Sequence, residues 1–241
     1  MDPPNQPFSY YSQPTDVIGV MDAPTATLVS PEGFFYTGYG ELMFFTGNPP
    51  VAIHQRIKTL LHGYLPVLEY GFLRDGLYYH FTAFSATLDG TPSGTLVDFV
   101  RVSISNKNSK PATGWISTGM RYEGDINTTN GFADNRYRRP AVAAKLGAYS
   151  QPGQVFDANW KYSSNEDTVQ RDGQVLYFFP ASPSHTVRYT LKGDISTDGV
   201  LQPQALPVLP TTPVGIVQYR VPLRAGQTVT LDWKLPVVPI A

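Results

Sequence analysis

The chain has 241 residues, with 18 Lys+Arg against 19 Asp+Glu, 4 His and no Cys. The even charge balance excludes a strongly basic nucleic-acid binder, and the lack of Cys excludes a disulfide scaffold, a thiolate metal site and a Cys nucleophile together. Charged residues are only 15%, aromatics reach 13%, and 21 Gly with 22 Pro supply dense turn formers, which fits one all-β domain with a large core and argues against a helix bundle or an α/β enzyme.

Met1-Asp2-Pro3-Pro4 opens polar and Pro-rich, unlike a signal peptide, and residues 1–16 read as an extended arm. Low charge with abundant Thr, Ser, Asn, Gly and Tyr fits an exported domain whose leader has been removed, so the expected location is secreted or periplasmic. No apolar stretch reaches the length of a membrane span.

From Val17 the pattern is strand after strand. Leu42-Met43-Phe44-Phe45 is a short apolar run that stops at the turn cluster Gly47-Asn48-Pro49-Pro50. Val51 to Leu61 fits a period of two, with Val51, Ile53, Ile57 and Leu61 on one side; Ile53, Ile57, Leu60 and Leu61 also share a helical face, but strand is the reading taken. Val67–Phe72 and Leu77–Phe84 flank Arg74-Asp75-Gly76 and read as a hairpin, because Asp-Gly supplies the positive φ angles of a tight turn. Both sides of Leu77–Phe84 are largely apolar, so this strand is expected to be covered on both faces.

Leu96–Asn106 alternates more cleanly: Val100, Val102 and Ile104 point one way, Arg101, Ser103 and Ser105 the other. A polar turn over Asn106–Pro111 follows, and a strand resumes at Trp115-Ile116. Residues 124–172 are irregular and read as a functional loop or a lid, with at most a turn or two of helix at Ala141–Leu146. Strands return at Val175–Phe179 and Thr186–Leu191, then a Pro-rich bridge spans Leu201–Pro213. The terminal pattern is a hairpin, with Val217, Tyr219, Val221 and Leu223 leading through Arg224–Gln227 to Val229, Leu231, Trp233 and Leu235. One β-sandwich domain therefore occupies 17–235, and 236–241 reads as the start of a linker to a further domain.

Leu61–Val67, Val102–Asn106 with Lys110-Pro111-Ala112, and Val221–Leu231 together resemble the N-terminal β-supersandwich domain of six-hairpin glycosidases, whose fold is similar to that of galactose mutarotase. The resemblance implies two large antiparallel sheets preceding an (α/α) barrel that carries the catalytic carboxylates. It transfers no catalytic residue to this chain.

Glycoside hydrolysis needs two carboxylates facing each other across a sugar. Glu123, Asp125, Asp157, Glu166, Asp167 and Asp172 are available, but nothing in their spacing pairs them, and solvated loop residues are the plainer reading. A mutarotase-type acid and base would draw on His80 and His185; the other two, His54 and His62, complete a set without metal-ligand spacing. Sugars stack their CH faces on aromatic rings and offer hydroxyls to fork-like donors. Trp160, Tyr162, Tyr122, Tyr137 and Arg136 combine both chemistries and are the candidate carbohydrate-binding residues, with core filling or contact to a neighbouring domain as the plain alternative. The run Arg136–Arg139 is read as a solvated or interdomain loop, and Asn127-Thr128-Thr129 matches a glycosylation acceptor.

The expectation is an all-β supersandwich acting as a non-catalytic accessory domain of a glycoside hydrolase-like protein. It would pack on a C-terminal α-helical barrel, shape the substrate cleft and contact oligosaccharide, without metal, cofactor or nucleic acid. A free-standing carbohydrate-binding module and an aldose-epimerase-like enzyme are the alternatives.

Overall fold

A computed structural model describes residues 16–23, 26–30, 32–53, 57–91, 93–122, 157–191, 201–202 and 212–241. The expected N-terminal arm up to residue 15 and the helical turn at Ala141–Leu146 lie outside these residues. So do His54, Glu123, Asp125, Asn127 and the Arg136–Arg139 run.

The described residues contain no helix and form two antiparallel sheets, as the composition implied. Sheet I runs, in spatial order, β1 (Asp16–Gly19), β2 (Ala26–Val29), β3 (Phe35–Tyr36), β4 (Glu41–Thr46), β10 (Ala112–Arg121), β16 (Val214–Leu223), β14 (His185–Leu191) and β15 (Leu201–Gln202), with β5 (Val51–Ala52) paired to β4. Sheet II runs β11 (Tyr162–Ser164), β12 (Thr168–Arg171), β13 (Gln174–Phe178), β17 (Thr228–Pro236), β9 (Leu96–Asn106), β8 (Leu77–Thr87), β7 (Leu65–Arg74) and β6 (Thr59–Leu61).

Alternation decides which side chains enter the core. On β9, Val100, Val102 and Ile104 are buried while Arg101 is exposed and Ser103 and Ser105 are half-buried. On β16, Val217, Tyr219, Val221 and Leu223 are buried and Arg220 and Pro222 are exposed. The layers meet through interlocked aromatics. Trp233 of sheet II meets Phe44 and Tyr219 of sheet I edge-on, at 5.4 and 5.7 Å, and Phe44 meets Phe81 at 5.2 Å. Each of these rings is fully buried, and burial of a large apolar side chain contributes about 1.5–3 kcal/mol.

Four expectations change. The terminal strands do not pair as a hairpin: β16 lies in sheet I between β10 and β14, while β17 lies in sheet II between β13 and β9. Arg224–Gln227 is an arch that carries the chain from one layer to the other. Val51–Leu61 likewise splits, because β5 pairs with β4 and β6 pairs with β7. The two ends of that segment therefore belong to different layers. The Leu77–Phe84 strand is covered on one face only. Leu77, Tyr79, Phe81 and Ala83 are buried, whereas Phe84 is 39% exposed on the other side. Its outer rings cover one another instead, with Tyr78 stacked on His80 and Phe84 on Phe99. Finally, the irregular stretch contains the strand pair β11–β12 over its last part. The Asp75-Gly76 hairpin forms as expected, with φ of 52° and 75°.

Two arches leave the same end of the sandwich side by side. One joins β9 to β10 through Asn106–Pro111, the other joins β16 to β17 through Arg224–Gln227. Asn106, fully buried, holds them together. Its side-chain amide donates to the carbonyls of Lys110 (2.8 Å) and Arg224 (3.0 Å), with a longer approach to Leu223 (3.4 Å). Its side-chain oxygen accepts from the Asn108 backbone (2.9 Å). Its own backbone accepts from Gly226 N (3.1 Å) and donates to Gln227 O (2.8 Å). Gly226, at φ 73°, makes the turn in the second arch. Asn106→Ala is expected to cost about 2–3 kcal/mol, because it strands buried carbonyls. That corresponds to a melting temperature lowered by roughly 5–10 °C in a chain of this size. An unchanged thermal transition would show that the arches do not depend on this residue.

Asp98 faces inward from β9 and is fully buried. Thr27 Oγ1 of sheet I and Ser85 Oγ of sheet II each donate to its carboxyl at 2.6 Å. Burial pushes this carboxyl up to about 7, against the opposing pull of the two hydroxyls. In the unfolded chain it ionises near the ordinary value of about 4. Between these values the folded state keeps a proton that the unfolded state has lost, so raising the pH favours unfolding. Denaturant titrations should therefore show stability falling from pH 5 to pH 8, by about 2.5 kcal/mol from this group. Asp98→Asn should remove that slope; a slope that persists in the variant places its origin elsewhere.

Candidate functional site

Three of the five residues singled out from the sequence meet at one corner of the sandwich. An Asx turn brings the chain in: Asp157 Oδ1 accepts from Asn159 N (2.8 Å) and Nδ2 (3.0 Å), and Trp160 N donates to Asp157 O (3.3 Å). Tyr162 then pairs with Arg171 across β11 and β12. The Asp172-Gly173 turn, with φ of 49° and 81°, joins β12 to β13, and Asp172 extends the β11–β12 pairing: its N donates to Lys161 O at 2.8 Å and its Oδ1 accepts from Lys161 N at 3.0 Å.

Arg171 is the centre of the corner. Its guanidinium carbon lies 3.9 Å from the Trp160 ring centroid, a cation–π contact. Its charge also lies close to the Tyr162 hydroxyl. Burial raises the Tyr162 phenol above its ordinary value, and the neighbouring Arg171 charge partly offsets this. Tyr122, the residue after β10, closes the corner from sheet I, its ring 5.4 Å from that of Trp160 and tilted by 56°. Trp160, Tyr162 and Tyr122 are half-buried, while Arg171 is buried. The result is aromatic surface backed by a fixed cation, able to meet CH faces and hydroxyls but holding no acid–base pair. Tyr137 and Arg136 lie outside the described residues.

Two contributors were not legible in the sequence. Arg171 lies near the end of a stretch whose sequence reads as irregular. Glu41 and Arg121 are cross-strand neighbours on β4 and β10, with Arg121 Nε donating to the fully buried Glu41 carboxylate at 2.6 Å. That ion pair anchors the strand end from which Tyr122 projects. Only the register of two distant strands reveals it.

The remaining candidates do not converge. Asp157 and Asp172 serve turns, and Glu166 and Asp167 are exposed between β11 and β12. His80 stands on the outer face of sheet II, 3.7 Å from Glu69. His185 begins β14 of sheet I, its ring packed 5.3 Å from Phe179 and 5.7 Å from Tyr219. These two histidines therefore do not face one substrate. Among the described residues, no three His, Asp or Glu side chains are placed to hold a metal ion.

A second feature lies on the outer face of sheet II. A groove of about 330 Å³ crosses β8, β9 and β17. Phe84 and Phe99 form one wall and Thr82, Arg101 and Asp232 the other, with Lys234 beside them.

No protein-family model matches the sequence, and no curated protein matches it. Among solved structures, a polysaccharide lyase aligns over 93% of this chain and 32% of its own, at 11% identity and a TM-score of 0.32. The chain thus spans about a third of the length of that protein. A likeness this loose carries no argument, and the fold rests on the two sheets themselves.

The corner is expected to behave as one unit. A double-mutant cycle on Trp160→Leu and Arg171→Met, read by chemical denaturation, should give a coupling of about 0.5–2 kcal/mol. Additive losses would mean that the contact is incidental.

Proposed function

We propose that the chain is a non-catalytic, carbohydrate-contacting accessory domain of a secreted or periplasmic glycosidase-like protein, built to stand beside an α-helical catalytic barrel and form one wall of its cleft. The observation that carries this reading is the Trp160–Arg171–Tyr162–Tyr122 corner. It offers rings and a fixed cation at the junction of both sheets, on a support whose interior is filled with apolar side chains. Such a site can contact a sugar or a neighbouring domain, and chemistry on that sugar would come from the neighbour. The β6 edge of sheet II supports an interdomain role as well. Ile57, Tyr64 and Leu73 are each at least 70% exposed there, more apolar surface than an edge strand normally leaves to water.

The reading frame beyond Ala241 tests the proposal directly. A long segment with helical periodicity is expected, and a stop codon at that point overturns the accessory role. The purified chain should also leave the rates of glycosidic cleavage and of sugar mutarotation at their buffer values. Turnover that disappears in His80→Ala or His185→Ala would make the chain an enzyme in its own right.

A further inference from the structure

The outer face of sheet II is ordered in rows by its register. Asp232, Arg101, Thr82 and Glu69 lie in one row across β17, β9, β8 and β7. Lys234, Phe99 and Phe84 lie in the next, across β17, β9 and β8. The groove runs between these rows, so its two walls differ in chemistry.

The apolar wall is the pair Phe84 and Phe99, stacked at 5.2 Å with their planes 13° apart. The polar wall is built around Arg101 and Asp232. Arg101 donates to the two carboxylate oxygens of Asp232 through Nε (2.7 Å) and a terminal nitrogen (3.0 Å). This two-point contact holds both groups in one plane. Their side chains remain 61% and 53% exposed, so further N–H donors and oxygen lone pairs stay open to the groove. An exposed pair of this kind adds little to stability. Thr82 adds a hydroxyl to the same wall.

Charge narrows the choice of ligand. Arg101 and Asp232 neutralise one another. Lys234 lines the same groove with no carboxylate within ion-pair distance among the described residues. Glu69, at the far end of the row, is turned to His80. The groove therefore carries a net positive charge beside its neutral fork.

We propose that this groove binds an acidic oligosaccharide, one whose sugar units carry carboxylates. The pyranose CH face lies along Phe84 and Phe99. Neighbouring hydroxyls pair with the Arg101–Asp232 fork, which presents donor and acceptor side by side, and a uronate carboxylate meets Lys234. The groove volume falls at the small end of ligand sites, roughly 300–1,000 Å³, which suits a short stretch of a chain that continues across the sheet. The site is separate from the Trp160 corner and stands whether or not a helical domain follows this one.

Isotope-labelled protein titrated with hexamers of galacturonate, mannuronate and glucuronate, and with neutral maltohexaose, tests the proposal by NMR. At least one acidic hexamer is expected to bind and to move the amide signals of Thr82, Arg101, Trp233 and Lys234. Lys234→Gln should weaken that binding about tenfold, the worth of one charge-assisted contact of ~1.4 kcal/mol. Phe84→Ala should weaken it similarly, and both exposed-face variants should retain the wild-type spectrum of core residues. Silence towards all three acidic hexamers overturns the proposal. So does equal affinity for maltohexaose, or an affinity that Lys234→Gln and Phe84→Ala leave unchanged. Shifts confined to Trp160 and Tyr162 would move saccharide binding to the corner and remove it from the groove.

Discussion

Asn106 is the point through which the two layers are tied. A two-sheet domain must pass its chain from layer to layer, and every such passage exposes backbone groups that the ladders no longer satisfy. Here two passages leave adjacent positions at one end, because β9 pairs with β17 and β10 with β16. One buried carboxamide serves both, donating to Lys110 and Arg224 and accepting from Asn108. An apolar residue there would leave carbonyls buried without donors. An Asp would place a charge beside them. The polar side chain at the end of an otherwise apolar inward row thus stabilises both arches at once.

With the arches fixed, the inner faces have little freedom. Phe44, Tyr219 and Trp233 lock edge-on across the layers, and Asp98 reaches from sheet II to Thr27 in sheet I. Among the described residues the space between the layers is filled by these apolar side chains. The candidate sites accordingly lie at the periphery: the Trp160–Arg171 corner where β10 meets β11 and β12, and the groove over β8, β9 and β17. Both use rigid strands to hold aromatic rings beside cations, which keeps the entropic cost of ordering a site low.

The sequence was most informative where a side chain's role follows from its own strand. The alternation of Val100, Val102 and Ile104 with Arg101, Ser103 and Ser105 gave the inward and outward faces of β9. The Asp75-Gly76 turn gave the β7–β8 hairpin. It was least informative about pairing. Val217–Leu223 and Val229–Leu235 have the alternation and the short turn of a hairpin, yet an arch between layers demands the same inward residues on both arms. Val51–Leu61 satisfies a period of two while its ends belong to different sheets. At the corner, the chemistry of Trp160, Tyr162 and Tyr122 is legible from their residue types alone. The residue that gathers them, Arg171, was hidden because β12 is too short to show a period.

By itself, then, the sequence determined the class of fold, the faces of the long strands and the kind of chemistry available, since these follow from composition and from the two-residue repeat of an extended chain. Tertiary structure alone decided which strands are neighbours. That pairing places Glu41 on Arg121, Arg171 under Trp160, and Phe84 and Phe99 opposite Arg101 and Asp232. Each of these contacts joins residues far apart in sequence or in different elements, and which strand lies beside which is decided by how the two layers pack, where no short turn links the partners.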